Sequence, residues 1–144
     1  MLKPKALLSL LQAAIEKFSS VKNIFISNPD GYLIASPSIT DEDKTYIASF
    51  TNIWVSYFDI SRAKLSSEEN VQVNLNFAIL DYHKGKVALT SICNSLVLGI
   101  YTESTSVEEG ILLAEIKLLK EQLEPHFRII FDAQENAEEE GTNH

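Results

Sequence analysis

Asp81, His83 and Lys84 put a carboxylate, an imidazole and an amine within four residues. Such a trio could hold a metal ion or move a proton. Either task needs further groups converging on the same point. No His, Cys or carboxylate joins the trio at ligand spacing, and His126 and His144 stand far along the chain. Tyr82-His83-Lys84-Gly85 reads instead as a solvated turn. Nucleophilic chemistry finds no better footing. Ser91, Ser95, Ser104 and Ser106 lie outside any Gly-x-Ser-x-Gly elbow. The five glycines form no loop that would cradle phosphate. Cys93 is the only cysteine, so no internal disulfide forms, which agrees with a reducing compartment. It reads as a small buried hydrophobe. The expectation is a protein with no catalytic residues, no metal and no cofactor, and not an enzyme.

Composition narrows the class further. The chain has 144 residues, 45% apolar and 22% charged, the make-up of one ordinary globular domain with a real core. Its net charge is −8, and Asp132, Glu135, Glu138, Glu139 and Glu140 supply five of those charges, leaving −3 on Met1–Phe131. A basic footprint for nucleic acid is missing, and an anionic membrane would not attract this body. Residues 132–144 carry no aromatic side chain and read as an acidic disordered tail after a domain over 1–131. Glu138–Glu140 read as a solubilising end, with docking to a basic surface as the alternative. Deleting the tail is expected to leave folding intact. Ala6–Ile15 is interrupted by Ser9 and Gln12 and runs into Glu16 and Lys17, so it reads as a helix of the mature domain rather than a leader. No run reaches the length of a membrane span. Residue 2 is Leu and the chain ends Thr-Asn-His, so neither myristoylation nor prenylation is expected. Any membrane location is expected to come through a partner.

The elements follow from periodicity. Leu7, Leu8, Leu11, Ala14, Ile15 and Phe18 recur at helical spacing behind Pro4, which suits a first helical position. Two short strands, Ile24–Ser27 and Tyr32–Ser36, flank Asn28-Pro29-Asp30-Gly31, a hairpin turn in which Pro presets φ and Gly accepts a positive one. Thr40 or Asp41 can cap a middle helix. Ser61–Asn70 reads as a surface loop. A strand of alternating Val71, Val73, Leu75, Phe77 and Ile79 ends near Asp81, and two more follow over Lys86–Cys93 and Leu96–Glu103. Ser106-Val107-Glu108-Glu109 reads as a capping box for a last helix carrying Leu112, Leu113, Ile116, Leu119 and Leu123. Pro125 is expected to end that helix or lie in its last turn. Phe127–Phe131 is too apolar for a free tail. The class is α+β, in the order α-β-β-α-β-β-β-α. A five-stranded antiparallel sheet would carry the first and last helices on one face and the middle helix on the other.

The middle of the chain has more apolar surface than this arrangement consumes. Tyr46, Ile47, Phe50, Ile53, Trp54, Val55, Tyr57, Phe58 and Ile60 spread well beyond the stripe of roughly 100° that a helix on one sheet needs. The strand after it would lie at a sheet edge, an aggregation hazard unless a partner pairs with it. The expected partner interface is therefore Phe50, Ile53, Trp54 and Tyr57 on the helix with Val71, Val73, Leu75 and Phe77 on the strand. Trp54 reads as its anchor, the alternative being a core Trp on its own sheet. On the first reading, Trp54→Ala would cost pairing more than folding. The strand residues read as an inward face, pairing being through the backbone.

Several strings resemble the roadblock/dynein-light-chain superfamily. These are Met1-Leu2-Lys3-Pro4-Lys5-Ala6-Leu7, Asp30-Gly31-Tyr32-Leu33-Ile34-Ala35, Ile47-Ala48 with Asn52-Ile53-Trp54 and Tyr57, and Gly85-Lys86-Val87-Ala88-Leu89-Thr90. The resemblance runs from Met1 to about Ile130. Within the superfamily it points to the roadblock subunits of the late endosomal/lysosomal adaptor, the Ragulator complex. The Asp59–Asn70 loop looks longer than in animal members, and the acidic tail is extra. The resemblance implies a non-enzymatic scaffold that heterodimerises with a second roadblock-type subunit, middle helix to middle helix and third strand to third strand. It further implies a lipidated anchoring subunit, Rag-type small GTPases, and target-of-rapamycin and MAP-kinase signalling at the late endosome or lysosome. The superfamily also includes dynein light chains and GTPase-regulating modules. A profilin- or PAS-like sensor would need a pocket with convergent polar groups, which the sequence does not display.

Overall fold

The computed structural model describes residues 4–18, 20–67, 77–93 and 95–142, with side chains left aside at 4, 58–67 and 130–142. The elements are α1 (Pro4–Lys17), β1 (Asn23–Ser27), β2 (Leu33–Ala35), α2 (Asp41–Ser67), β3 (Phe77–Tyr82), β4 (Gly85–Ile92), β5 (Leu96–Tyr101) and α3 (Glu109–Thr142). The order agrees with the sequence. One antiparallel sheet runs β2-β1-β5-β4-β3, so β3 and β2 are its edges.

Period-two alternation divides the core into two layers. Ile24, Ile26, Ala88, Ile92, Leu98 and Ile100 face Leu7, Leu11 and Ala14 of α1, Phe18 just after it, and Leu112, Ile116, Leu119, Leu123 and Phe127 of α3. Phe25, Val87, Leu89, Val97 and Tyr101 face α2, which contributes Ile47, Phe50 and Trp54. The helices thus lie on the two faces as their sequence pattern required.

Local geometry explains the joints. At the β1–β2 turn, the Asn28 carboxamide oxygen accepts from the amides of Asp30 (3.1 Å) and Tyr32 (3.0 Å), and Gly31 takes φ +93°. At the start of α2, Thr40 Oγ1 accepts from the Asp43 amide (3.1 Å) and donates to Asp43 Oδ2 (2.7 Å), so Thr40 is the cap. Gly99 sits opposite Phe25, and a Cβ at 99 would come 2.2 Å from the ring. That ring is buried and packs on Phe50 and Tyr101, so it has nowhere to retreat. Gly99→Ala is therefore expected to destabilise the chain by about 1–3 kcal/mol through overpacking, read as a lowered midpoint in urea.

Four expectations need correction. The capping box at Ser106 does not form: Ser106 Oγ pairs with Ser104 Oγ (2.7 Å), and the α3 ladder starts from the Glu108 carbonyl, which accepts from Leu112 (3.2 Å). α2 continues through the expected loop to Ser67. Pro125 lies inside α3 rather than at its end. Its ring is on the exposed side, while Leu123 and Phe127 on the buried side hold the helix against the sheet across the missing hydrogen bond. The backbone from Asp132, expected as a disordered tail, carries α3 on to Thr142. Its Ala, Gln and Glu residues are good helix formers behind an anchored turn.

Candidate partner interface

α2 is fixed to the sheet by a buried polar network at its first turn. Asp43 is 1% exposed. Its Oδ2 accepts from Ser38 Oγ (2.6 Å) and Thr40 Oγ1 (2.7 Å), and its Oδ1 accepts from the Tyr101 hydroxyl. Asn23 Nδ2 donates to the same hydroxyl and to the Ser38 carbonyl, each at 2.9 Å. Burial opposes charge on Asp43, but the hydrogen bonds from Ser38, Tyr101 and Thr40, with the Lys22 ammonium nearby, outweigh it and hold the carboxyl below its usual range. Burial, reinforced by the bond to Asp43, raises the Tyr101 phenol. Because the folded pKa of Asp43 is depressed, its stabilising contribution is complete above the unfolded value of about 3.9 and is lost as pH falls through the folded value. Melting temperature should therefore drop below about pH 4 more steeply in the wild type than in Asp43→Asn, which is less stable at pH 7; parallel curves would contradict the assignment.

Beyond that turn α2 has two unlike sides. Ile47, Phe50, Thr51 and Trp54 are buried against the sheet. Thr45, Ala48, Ser49, Asn52, Ile53, Ser56 and Tyr57 face solvent, and none of them is charged. Ile53 and Tyr57 are the large members of this face, 45% and 53% exposed. They lean toward β3. Ala78, Leu80 and Tyr82 of that strand pack toward α2, and Phe77 and Ile79 toward α3. Burial, with the Tyr46 phenol beside it, pushes the Tyr82 hydroxyl up to about 12. Ile53, Trp54, Tyr57, Phe77, Ala78, Ile79, Leu80 and Leu89 line an apolar cavity of about 240 Å³ between helix and strand.

Among the described residues β3 is paired on one side only, by β4. Its other row of amides and carbonyls is a template for a further strand. The opposite edge is a poor template. β2 has three residues, with a bulge where Ile34 is squeezed between the partners of Ile26 and Ser27.

The expected interface residues divide accordingly. Ile53, Trp54, Tyr57 and Phe77 meet around the cavity. Phe77 is half-buried, with the Lys117 and Lys120 ammoniums 5.5 and 5.4 Å from its ring centre. Phe50 and Trp54, each 4% exposed, lie within the chain's own core because positions 47, 50 and 54 share the sheet-facing stripe. Phe50 stacks on Phe25 and Tyr46 at 6.4 and 5.9 Å. Val71, Val73 and Leu75 lie outside the described residues. Sequence reasoning missed Ala78, Ile79, Leu80 and Leu89 as lining residues. The signal was present: polar Gln72, Asn74 and Asn76 give way at the same parity to Ala78, Leu80 and Tyr82.

The groups singled out for chemistry do not converge. His83 Nε2 is 2.8 Å from the Tyr46 hydroxyl, Lys84 pairs with Glu42, and Asp81 pairs with Lys86 at 3.6 Å. Among the described residues no cluster of His, Cys, Asp and Glu is built to hold a metal ion. Cys93 is half-buried rather than buried, in the left-handed region at φ 53°, with its amide donating to Glu124 Oε2 (3.1 Å). Among the described residues no helix is long and apolar enough to cross a membrane.

No family model matches the chain. Solved structures are similar to it at low identity. A roadblock/LC7 domain from Streptomyces avermitilis is 14% identical, with a TM-score of 0.60 over 81% of this chain and 96% of that one. Myxococcus xanthus MglB is 16% identical, with a TM-score of 0.60 over 84% and 94%. Acanthamoeba castellanii profilin IB is 11% identical, with a TM-score of 0.56 over 83% and 97%. Likeness at these identities is likeness of fold, and the fold of this chain is that of the roadblock/LC7 domain proteins.

Proposed function

We propose that this chain is a non-enzymatic roadblock scaffold subunit that pairs with a second roadblock-type chain, α2 beside α2 and β3 beside β3. The observation that carries the reading is, among the described residues, an exposed helix face without charge from Thr45 to Tyr57 next to an edge strand paired on one side, with an apolar cavity at their junction. Charge is depleted at the centres of interfaces, and an edge strand lends its backbone to a partner sheet. The likeness of Met1–Leu7 and of the Asn52-Ile53-Trp54 helix to the second roadblock subunit of Ragulator supports the finer reading. On it, the pair is held on the cytoplasmic face of late endosomes, lysosomes or vacuoles by a lipidated subunit. It recruits Rag-type small GTPases for target-of-rapamycin signalling and supports MAP-kinase signalling. The test is affinity purification of the tagged full chain from its own cells, with stoichiometry measured. A second roadblock-sized subunit, a lipidated subunit and Rag-type GTPases at equal abundance support the reading. Dynein intermediate chain in their place would move it to a dynein light chain. A roadblock partner with a small GTPase but no lipidated subunit would move it to a GTPase-regulating module.

A further inference from the structure

We propose that the strand which a second roadblock-type chain adds to β3 carries a carboxylate, Asp or Glu, opposite Phe77, where it meets the Lys117 and Lys120 ammoniums. The inference rests on the pairing reading above and adds the side chain that the partner brings to the α3 side of the joint.

The two sides of the β3 edge differ in charge. Toward α2, the exposed residues from Thr45 to Tyr57 are uncharged. Toward α3, the centre of the Phe77 ring lies 5.5 Å from Lys117 Nζ and 5.4 Å from Lys120 Nζ. Lys120 and Arg128 share Glu124, each at 3.9 Å, so one carboxylate serves two cations. Lys117 is exposed, and among the described residues no carboxylate, not even Glu121 one turn on, is in ion-pair reach of it. A ring face attracts a cation without neutralising it. The edge strand of an acidic chain thus begins beside a local excess of positive charge.

Sheet geometry places the partner's side chain whichever way its strand runs. Residues opposite each other on neighbouring strands share a face of the sheet, and the strands lie about 5 Å apart. Phe77 packs toward α3. The partner residue opposite it therefore points toward α3 as well, at a distance like that of the two ammoniums from the ring. Cover by two chains removes much of the water and salt that make exposed ion pairs weak. β3 of a second copy is a poorer donor. By alternation its described residues on this side are Phe77, Ile79 and Asp81, and Asp81 is held by Lys86 at 3.6 Å.

The test is affinity purification of the tagged full chain from its own cells, washed at stepped salt, with melting temperatures measured on the same variants. The roadblock partner retained by wild type should fall as salt rises. Lys117→Glu should cut the partner retained at low salt by at least about fivefold and flatten the salt dependence, with the melting temperature kept. Lys117→Arg keeps the charge and should retain the partner as wild type does. Among Lys substitutions of the partner's Asp and Glu residues, one should restore capture by Lys117→Glu. Capture indifferent to Lys117→Glu overturns the ion pair and leaves pairing standing. So does a melting temperature that falls together with capture, since the counter-ion of Lys117 would then belong to this chain, whose Glu68 and Glu69 lie outside the described residues. Wild type that captures no roadblock-sized chain overturns the pairing reading and the ion pair with it.

Discussion

Trp54→Ala is expected to destabilise the isolated chain by about 3–5 kcal/mol, the range for truncating a large aromatic in a core. That is a large part of the 5–15 kcal/mol that holds a typical domain folded. Trp54 is 4% exposed and packs in the layer formed by Phe25, Ile47, Phe50 and Leu89. The sequence alone points the other way, to pairing losing more than folding. The side chain does line the cavity, so pairing should weaken too, but as a consequence of a loosened α2. Urea melts of the isolated chain measure the effect directly. A loss below about 1 kcal/mol, with pairing abolished, would return Trp54 to the role of a surface anchor.

Why this residue misled is physical. A large apolar side chain is favoured in a core and at an interface for the same reason, removal of area from water. Composition showed that α2 carries more such area than one sheet can cover, and Ile53 and Tyr57 are indeed left outside. It could not rank Trp54 against them, because the first turn of the helix is tied to the sheet through Asp43 on Tyr101 and Tyr101 on Asn23, contacts across 58 and 78 residues that no periodicity reveals. The sheet was easier to read. Alternation in Phe25, Val87, Leu89 and Ile24, Ile26, Ala88 assigns each residue a face once the strands are found. Helix ends were harder. Ser106 offered a textual capping box, yet its hydroxyl found Ser104 first. Pro125 looked like a stop, but Leu123 and Phe127 supply burial on both sides of it. The edge position of β3 was legible from the order of elements. The cavity was not, since its walls come from α2, β3 and β4 together.

Tyr57→Glu should leave the isolated fold within about 0.5 kcal/mol of wild type, as surface substitutions usually do, and should weaken pairing by at least about 2 kcal/mol, some thirtyfold in Kd. Tyr57 is 53% exposed, so its own fold asks little of it. In a pair built on α2 and β3, the same position is covered by the partner helix beside the apolar cavity. A carboxylate there would be desolvated with no cation beside it on its own helix from Thr45 to Tyr57, whose exposed residues are uncharged. The contrast between the two substitutions is the discriminating result. Trp54→Ala strikes the fold first, and Tyr57→Glu strikes only the pair. A matched measurement of melting temperature and partner affinity separates them. If Tyr57→Glu binds the partner as wild type does, the exposed face of α2 is not the interface, and the β3 edge or another surface must carry the assembly.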